Sequence, residues 1–240
     1  SSPPYPQTNC TAMKALFFCL IASLFIHSVF ADKQSLFSGK NFHSFELNPG
    51  AWEIEPDGSM VCRMGKSKDK NGKEKIRGMG YIWTKESFSD FELQLEYKLT
   101  EGANSGIFYR SDPNDPVHAG FEIQLMDNKG FQANSKKVLP PRKLNGSFYD
   151  GMAPKGDFSN PVGQWNKCKL ICKGPLVSFQ LNGKLAFSVD LNDWKEPGKN
   201  PDGSTNKFKN ALGDLPRAGR IGFQNHGQVV WFRNITIREI

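Results

Sequence analysis

Residues Gly102–Asn128 read GANSGIFYRSDPNDPVHAGFEIQLMDN, two β-patterned runs joined by a loop rich in proline and aspartate. In the second run Phe121, Ile123 and Leu125 alternate with Glu122 and Gln124. A period of two sends successive side chains to opposite faces of a strand, so one face is apolar and the other sets a carboxylate beside an amide. In the first run Asn104, Gly106, Phe108 and Arg110 share a face. A core strand has no need of such polar groups, and burying one without a partner costs about 2–7 kcal/mol. They are therefore solvated or used, and the pair of strands is expected to form one wall of a sugar-binding cleft.

The same alternation runs through most of the chain. Phe91–Leu99 (FELQLEYKL) has Phe91, Leu93, Leu95, Tyr97 and Leu99 on one side. Strands are also predicted over Trp165–Cys172, Val177–Leu181, Lys184–Val189, Arg220–Gln224 and Val229–Ile240, with short opening strands in Phe37–Phe45 and Trp52–Val61. Asn182-Gly183 between two of them is a tight-hairpin signal, since both residues accept positive φ. No stretch carries a helical stripe longer than a turn or two. Many short strands separated by Gly, Pro and Asn imply an all-β fold, a two-sheet antiparallel sandwich. Lys66–Gly80, Asp127–Gly163 and Leu191–Gly219 are expected as long loops, and loops of that length are usually functional or mobile. The middle one carries Leu144–Pro154 (LNGSFYDGMAP), which places Tyr149 and Asp150 after the acidic strand.

The beginning of the chain reads differently. Met13-Lys14, the apolar run Ala15–Ile26 and small residues at Val29 and Ala31 have the order of a secretory signal peptide. The run is shorter than the roughly 20 residues of a spanning helix. The expected organisation is an upstream remnant over residues 1–12, a signal peptide over 13–31 and one domain over 32–240, secreted or periplasmic and without a membrane span after cleavage. The formal net charge is +7, and Lys14 is the only charged residue before Asp32. Much of the excess lies in segments such as Lys66–Arg77 (KSKDKNGKEKIR). No nucleic-acid module accompanies it, so a solvated surface is expected and no nucleic-acid partner. Of five cysteines, Cys62, Cys168 and Cys172 follow Asp32. Cys168 and Cys172, four apart on one strand, would have Cα atoms about 13 Å apart, beyond disulfide reach. All three are expected to be small buried hydrophobes.

The sharpest motif is Glu122-x-Gln124-x-x-Asp127. One bulged residue at Leu125 or Met126 would bring Asp127 to the face of Glu122 and Gln124. Retaining β-glucanases of the laminarinase type space three acids in this way on a bulged strand, and retention needs two carboxyls about 5–5.5 Å apart. Here the middle acid is an amide and the last is the shorter aspartate, which argues against direct displacement. Arg110 can pair with Glu122 or grip a substrate oxygen, and Gly106 is expected to leave open space for a ligand. His226, in Gln224-Asn225-His226-Gly227, is a second general-base candidate; His118 is weaker and His43 incidental. Trp83, Trp165, Trp194 and Trp231 are stacking candidates, although tryptophan more often fills a core. Phosphate loops, the G-x-S-x-G elbow and H-E-x-x-H are missing.

In order along the chain, Ser35–Phe42 (SLFSGKNF), DFELQLEYKL, GANSGIFYR, GFEIQLMDN, GSFYDGMAP, GQWNKCKL, LNGK, GRIGFQNHG and FRNITIREI resemble the 3-keto-disaccharide hydrolase family, common in secreted bacterial proteins. The resemblance spans Ser35–Ile240. It implies a concanavalin A-like, glucanase-like jelly roll acting on glycosides whose C3 hydroxyl has been oxidised to a ketone. Such a ketone acidifies the C2 proton, so the group at C1 can leave by β-elimination, a route that needs one base and one enolate stabiliser. Glu122 or His226 would take the proton, Arg110 or a bound divalent cation would hold the enolate oxygen, and Asp127 or Tyr149 would protonate the leaving group. Asn104, Gln124 and Gln224 would bind sugar hydroxyls. The family pattern matches at Arg110, Glu122, Gln124, Asp127, Tyr149 and His226, and departs from it at Asn225, where an acid is usual. No cofactor is required by any motif, and the metal site, if one exists, is unassigned. The competing expectations are a lectin-like glycan-binding module and a conventional retaining β-glucanase.

Overall fold

The computed structural model describes residues 32–240, so the expected leader and upstream remnant lie outside the described residues. In chain order the first strands are β1 (Gln34–Phe37), β2 (Phe45–Leu47), β3 (Trp52–Ile54), β4 (Met60–Cys62), β5 (Met64–Lys68), β6 (Glu74–Gly78) and β7 (Ile82–Phe88). Then come β8 (Phe91–Leu99), β9 (Asn104–Ser111), β10 (Phe121–Met126), the helix α1 (Asn128–Ser135), β11 (Asn166–Lys173), β12 (Leu176–Leu181), β13 (Lys184–Asp190), β14 (Gly219–Phe223) and β15 (Val230–Glu239).

All pairings are antiparallel. An eight-stranded sheet runs β13-β12-β11-β8-β15-β4-β3, with β1 also on β15, and a five-stranded sheet runs β10-β9-β14-β7-β2. The two form the expected jelly-roll sandwich. The core lies between them: Phe91, Leu93, Leu95 and Tyr97 of β8 belong to the same buried cluster as Ile107, Tyr109, Ile123, Leu125 and Phe223 of the small sheet. Each such side chain contributes about 1.5–3 kcal/mol on burial. Asn182 and Gly183 have φ of 50° and 79°, the double left-handed geometry of a two-residue hairpin turn.

Three expected loops are more ordered than the sequence indicated. Lys66–Gly80 contains a hairpin, β5 paired with β6. Within Asp127–Gly163 lies α1, which buries no residue and has no acidic side chain in its first turn; a helix without an apolar stripe or cap leaves no periodic signal. The same segment then runs back along β10, with Gly146 and Tyr149 amides donating to the Gln124 and Glu122 carbonyls at 2.8 and 2.9 Å. In Leu191–Gly219, buried Trp194, Phe208 and Leu212 anchor the chain to the core. Strand β7 was not expected at all. Cys62, Cys168 and Cys172 are free and buried, as expected. Among the described residues no helix is long and apolar enough to cross a membrane.

Candidate active site

The site forms on the face of the small sheet that points away from the core. Antiparallel register sets Glu122 opposite Phe108 and Gln124 opposite Gly106, and Gly222 opposite both Phe108 and Trp83. One row of side chains is therefore Tyr149, Glu122, Phe108, Gly222 and Trp83; the next holds Gln124, Gly106, Gln224 and Tyr81. Gly222 is required because a side chain there would strike the ring of Trp83. Tyr81 stacks on Trp83 at 5.4 Å and meets Phe108 edge-on at 5.2 Å, an aromatic floor beside the carboxylate. Trp194 is instead in the core, and Trp165 and Trp231 sit over Lys98 at 4.8 and 4.5 Å.

Glu122 is 8% exposed. The space above Gly106 is not open as expected: it is occupied by the Glu122 carboxylate, which a Cβ at Gly106 would meet. No hydrogen bond to that carboxylate is seen among the described residues; its charged neighbour is Lys207, whose Nζ stands 4.0 Å from Oε2. Burial raises Glu122 from 4.5 to about 7, against the pull of Lys207. A carboxyl that changes charge near neutrality is suited to general-base work. Tyr149 flanks it. Burial and the nearby Glu122 and Asp150 charges push its phenol up to about 12, so it stands as a neutral donor.

Lys207 was not recognised in the sequence, where it is one lysine in a polar loop. Its amide donates to Asp150 Oδ2 at 2.9 Å, and its ammonium lies 4.1 Å from the Tyr149 ring centroid. Asp150 is buried and also accepts from Arg142 Nε at 3.0 Å, with Lys143 Nζ at 3.5 Å. This carboxylate ties the Tyr149 and Lys207 loops together. The amides also line the face: Gln124 Nε2 donates to Asn104 Oδ1 at 2.8 Å, and Gln224 Nε2 to the Tyr81 hydroxyl at 3.1 Å.

Two expected participants, Arg110 and Asp127, are engaged elsewhere, and His226 stands beyond the row of amides. Arg110 has φ of 47°, which turns it out of the pleat shared by Asn104, Gly106 and Phe108. Its fully buried guanidinium donates to Ser89 O at 2.8 Å, Gly174 O at 2.8 Å and Asp90 Oδ1 at 3.1 Å. It therefore clasps two turns rather than pairing with Glu122. Asp127 is not returned to the site face, because β10 and β9 pair without a bulge through Met126. Its Oδ2 accepts the Gly102 amide at 2.8 Å, and it lines a separate cleft of about 320 Å³ with Met126, Asn128 and Gln164. His226 is exposed on the turn between β14 and β15. Partial desolvation of its ring lowers its pKa, a hydrogen bond with Gln228 opposing, and Phe131 meets the ring edge-on at 6.4 Å. It connects to the amides indirectly, since Gln228 Oε1 accepts the Asn104 amide at 3.3 Å. Among the described residues no three His, Cys, Asp or Glu side chains converge as a metal cradle.

The profile of the 3-keto-alpha-glucoside-1,2-lyase-like domain matches residues 32–238. A curated 3-keto-disaccharide hydrolase of Bacteroides thetaiotaomicron is 29% identical over 232 residues, 85% of this chain and 77% of that protein. A crystal structure of a candidate glycosyl hydrolase from Parabacteroides distasonis superposes with a TM-score of 0.74 at 31% identity, covering 87% of this chain and 100% of the other. A second from that organism gives 0.66 at 24% identity, over 87% and 94%, a likeness of fold.

Proposed function

This chain belongs to the 3-keto-alpha-glucoside-1,2-lyase-like family, and we propose that it cleaves 3-keto-glycosides by elimination across C1 and C2 followed by hydration. The observation that carries this reading is one buried carboxyl raised to about 7 and left without a hydrogen bond, while the other acids near it among the described residues are already engaged. Direct displacement by a retaining route needs two carboxyls about 5–5.5 Å apart. Asp127 is bound to Gly102, and Asp150 is held by Arg142. Elimination asks for one base.

In this mechanism Glu122 takes the proton from C2, and the electron pair of that C–H bond moves into the C2–C3 bond as the C3 carbonyl becomes an enolate. Return of the charge expels the oxygen at C1, which receives a proton from the neutral Tyr149 phenol. The products are an enone sugar and the free aglycone. Water then adds across C1 and C2. Tyr81, Trp83 and Phe108 offer an apolar floor for a sugar ring, and Gln124, Asn104 and Gln224 offer amide donors and acceptors. Burial suits Glu122 to the task because a desolvated carboxylate is a stronger base. The apolar run Ala15–Ile26 supports an exported protein, checked by a mature N-terminus at Asp32.

The test compares a 3-keto-glucoside with its unoxidised parent, using wild type and Glu122→Gln. Cleavage confined to the keto-sugar and lost in the variant is expected. Equal cleavage of both sugars, or an unaffected variant, sinks the mechanism; tight binding of the keto-sugar without turnover supports a lectin-like module instead.

A further inference from the structure

Enolate chemistry needs an electrophile at the C3 oxygen, and the arginine expected to supply it is committed elsewhere. We propose that Lys207 is a catalytic residue whose ammonium binds the C3 carbonyl oxygen and holds it as the enolate forms. The inference rests on the elimination reading above. Lys207 Nζ is 4.0 Å from Glu122 Oε2, too long for a hydrogen bond, so the ammonium is not committed to that carboxylate. The amine thus stands next to the base, where a C3 oxygen falls when C2 faces Glu122, since the two carbons are bonded neighbours.

Its position is set independently of Glu122. The Lys207 backbone is tied to Asp150 at 2.9 Å, the Tyr149 ring lies under the ammonium at 4.1 Å, and Phe208 beside it is buried. The lysine side chain keeps 29% exposure, so it is reachable from solvent. Two other cations adjoin the loop, Arg142 and Lys143, and both are paired with Asp150. Desolvation lowers the Lys207 pKa, opposed by Glu122 and Asp150, which leaves an ammonium less well hydrated and a stronger partner for developing charge. A merely structural lysine would neutralise a buried glutamate, and its removal would then affect folding and leave turnover per folded molecule intact.

The experiment measures kcat and KM on a 3-keto-glucoside for wild type, Lys207→Met and Lys207→Cys before and after aminoethylation, with thermal melting of each and identically treated wild type as control. Removing one oxyanion donor typically costs about 10²–10³-fold in kcat. That loss is expected in Lys207→Met, with recovery of at least tenfold when aminoethylation restores an amine. Exchange of the C2 hydrogen with deuterated solvent should fall in parallel. Activity of Lys207→Met within threefold of wild type overturns the assignment while leaving the reaction standing. So does a folded aminoethylated variant that stays inactive. Reductive trapping of substrate on Lys207 by borohydride replaces the ion-pair role with an imine. Wild type inert toward every keto-glycoside tested overturns the reaction and this role together.

Discussion

Arg110 and Glu122 stand on adjacent strands of one sheet, each charged and each buried, yet they have opposite roles. All three nitrogens of the Arg110 guanidinium are engaged, with two carbonyls and a carboxylate at 2.8–3.1 Å. Glu122 has no hydrogen bond to its carboxylate among the described residues, and its nearest cation is 4.0 Å away. A buried charge engaged at every nitrogen by fixed partners is spent on architecture. One left short of partners keeps its reactivity, and the fold bears the desolvation cost.

The largest expected effect follows from that contrast. General-base catalysis contributes about 10²–10⁴-fold, so Glu122→Gln should lose that much kcat/KM on a 3-keto-glucoside, measured by aglycone release. The Lys207 series comes next, at the magnitude given above. Arg110→Met should act on stability instead. Losing a hydrogen bond to a charged group costs about 1.5–3 kcal/mol, read as a lower denaturant midpoint, while kcat per folded molecule stays within about twofold. A stable but inactive Arg110→Met would mean that the guanidinium reaches the substrate after all.

Glu122 also makes a signed prediction for pH. Its folded pKa of about 7 lies above the ordinary 4.5, so the native state binds this proton more tightly than the unfolded chain. The resulting stability is complete below the unfolded value, declines as pH rises toward 7, and is gone above it, about 3 kcal/mol in all. Melting curves from about pH 4 to 8 should therefore show Glu122→Gln gaining on wild type across that window. A constant offset would mean that the carboxyl is not desolvated. The smallest effect is expected at Asp127→Asn, which weakens the bond to the Gly102 amide by about 1 kcal/mol and leaves activity near wild type. A large loss of turnover there would restore Asp127 to the chemistry.

What was legible in advance follows from which faces are covered. Strand β8 alternates without a break, buried then half-buried over all nine residues, because one face packs on the core and the other meets solvent. Strand β7 escaped notice because Ile82, Trp83 and Thr84 are all buried in succession, Trp83 under the site and its neighbours in the core. Burial on both faces erases a period of two. The polar residues on β10 were legible for the opposite reason, since chemistry put them where packing had no use for them. Arg110 misled because one left-handed residue reverses the side that alternation assigns.

Local sequence is enough to specify strands, the Asn182-Gly183 turn and the unusual carboxylate on β10, because each depends on the chemistry of neighbouring residues. It also carried the family. Tyr149 and the amides beside Glu122 could be read there, but its charged companion could not. Lys207 lies in a loop far along the chain, and it reaches the carboxylate because Asp150, Phe208 and Trp194 fasten that loop over the sheet. Arg110 was drawn off by carbonyls of two turns that only folding brings to it. Which charges meet is decided by long-range packing, and so is the difference between a clasp and a base.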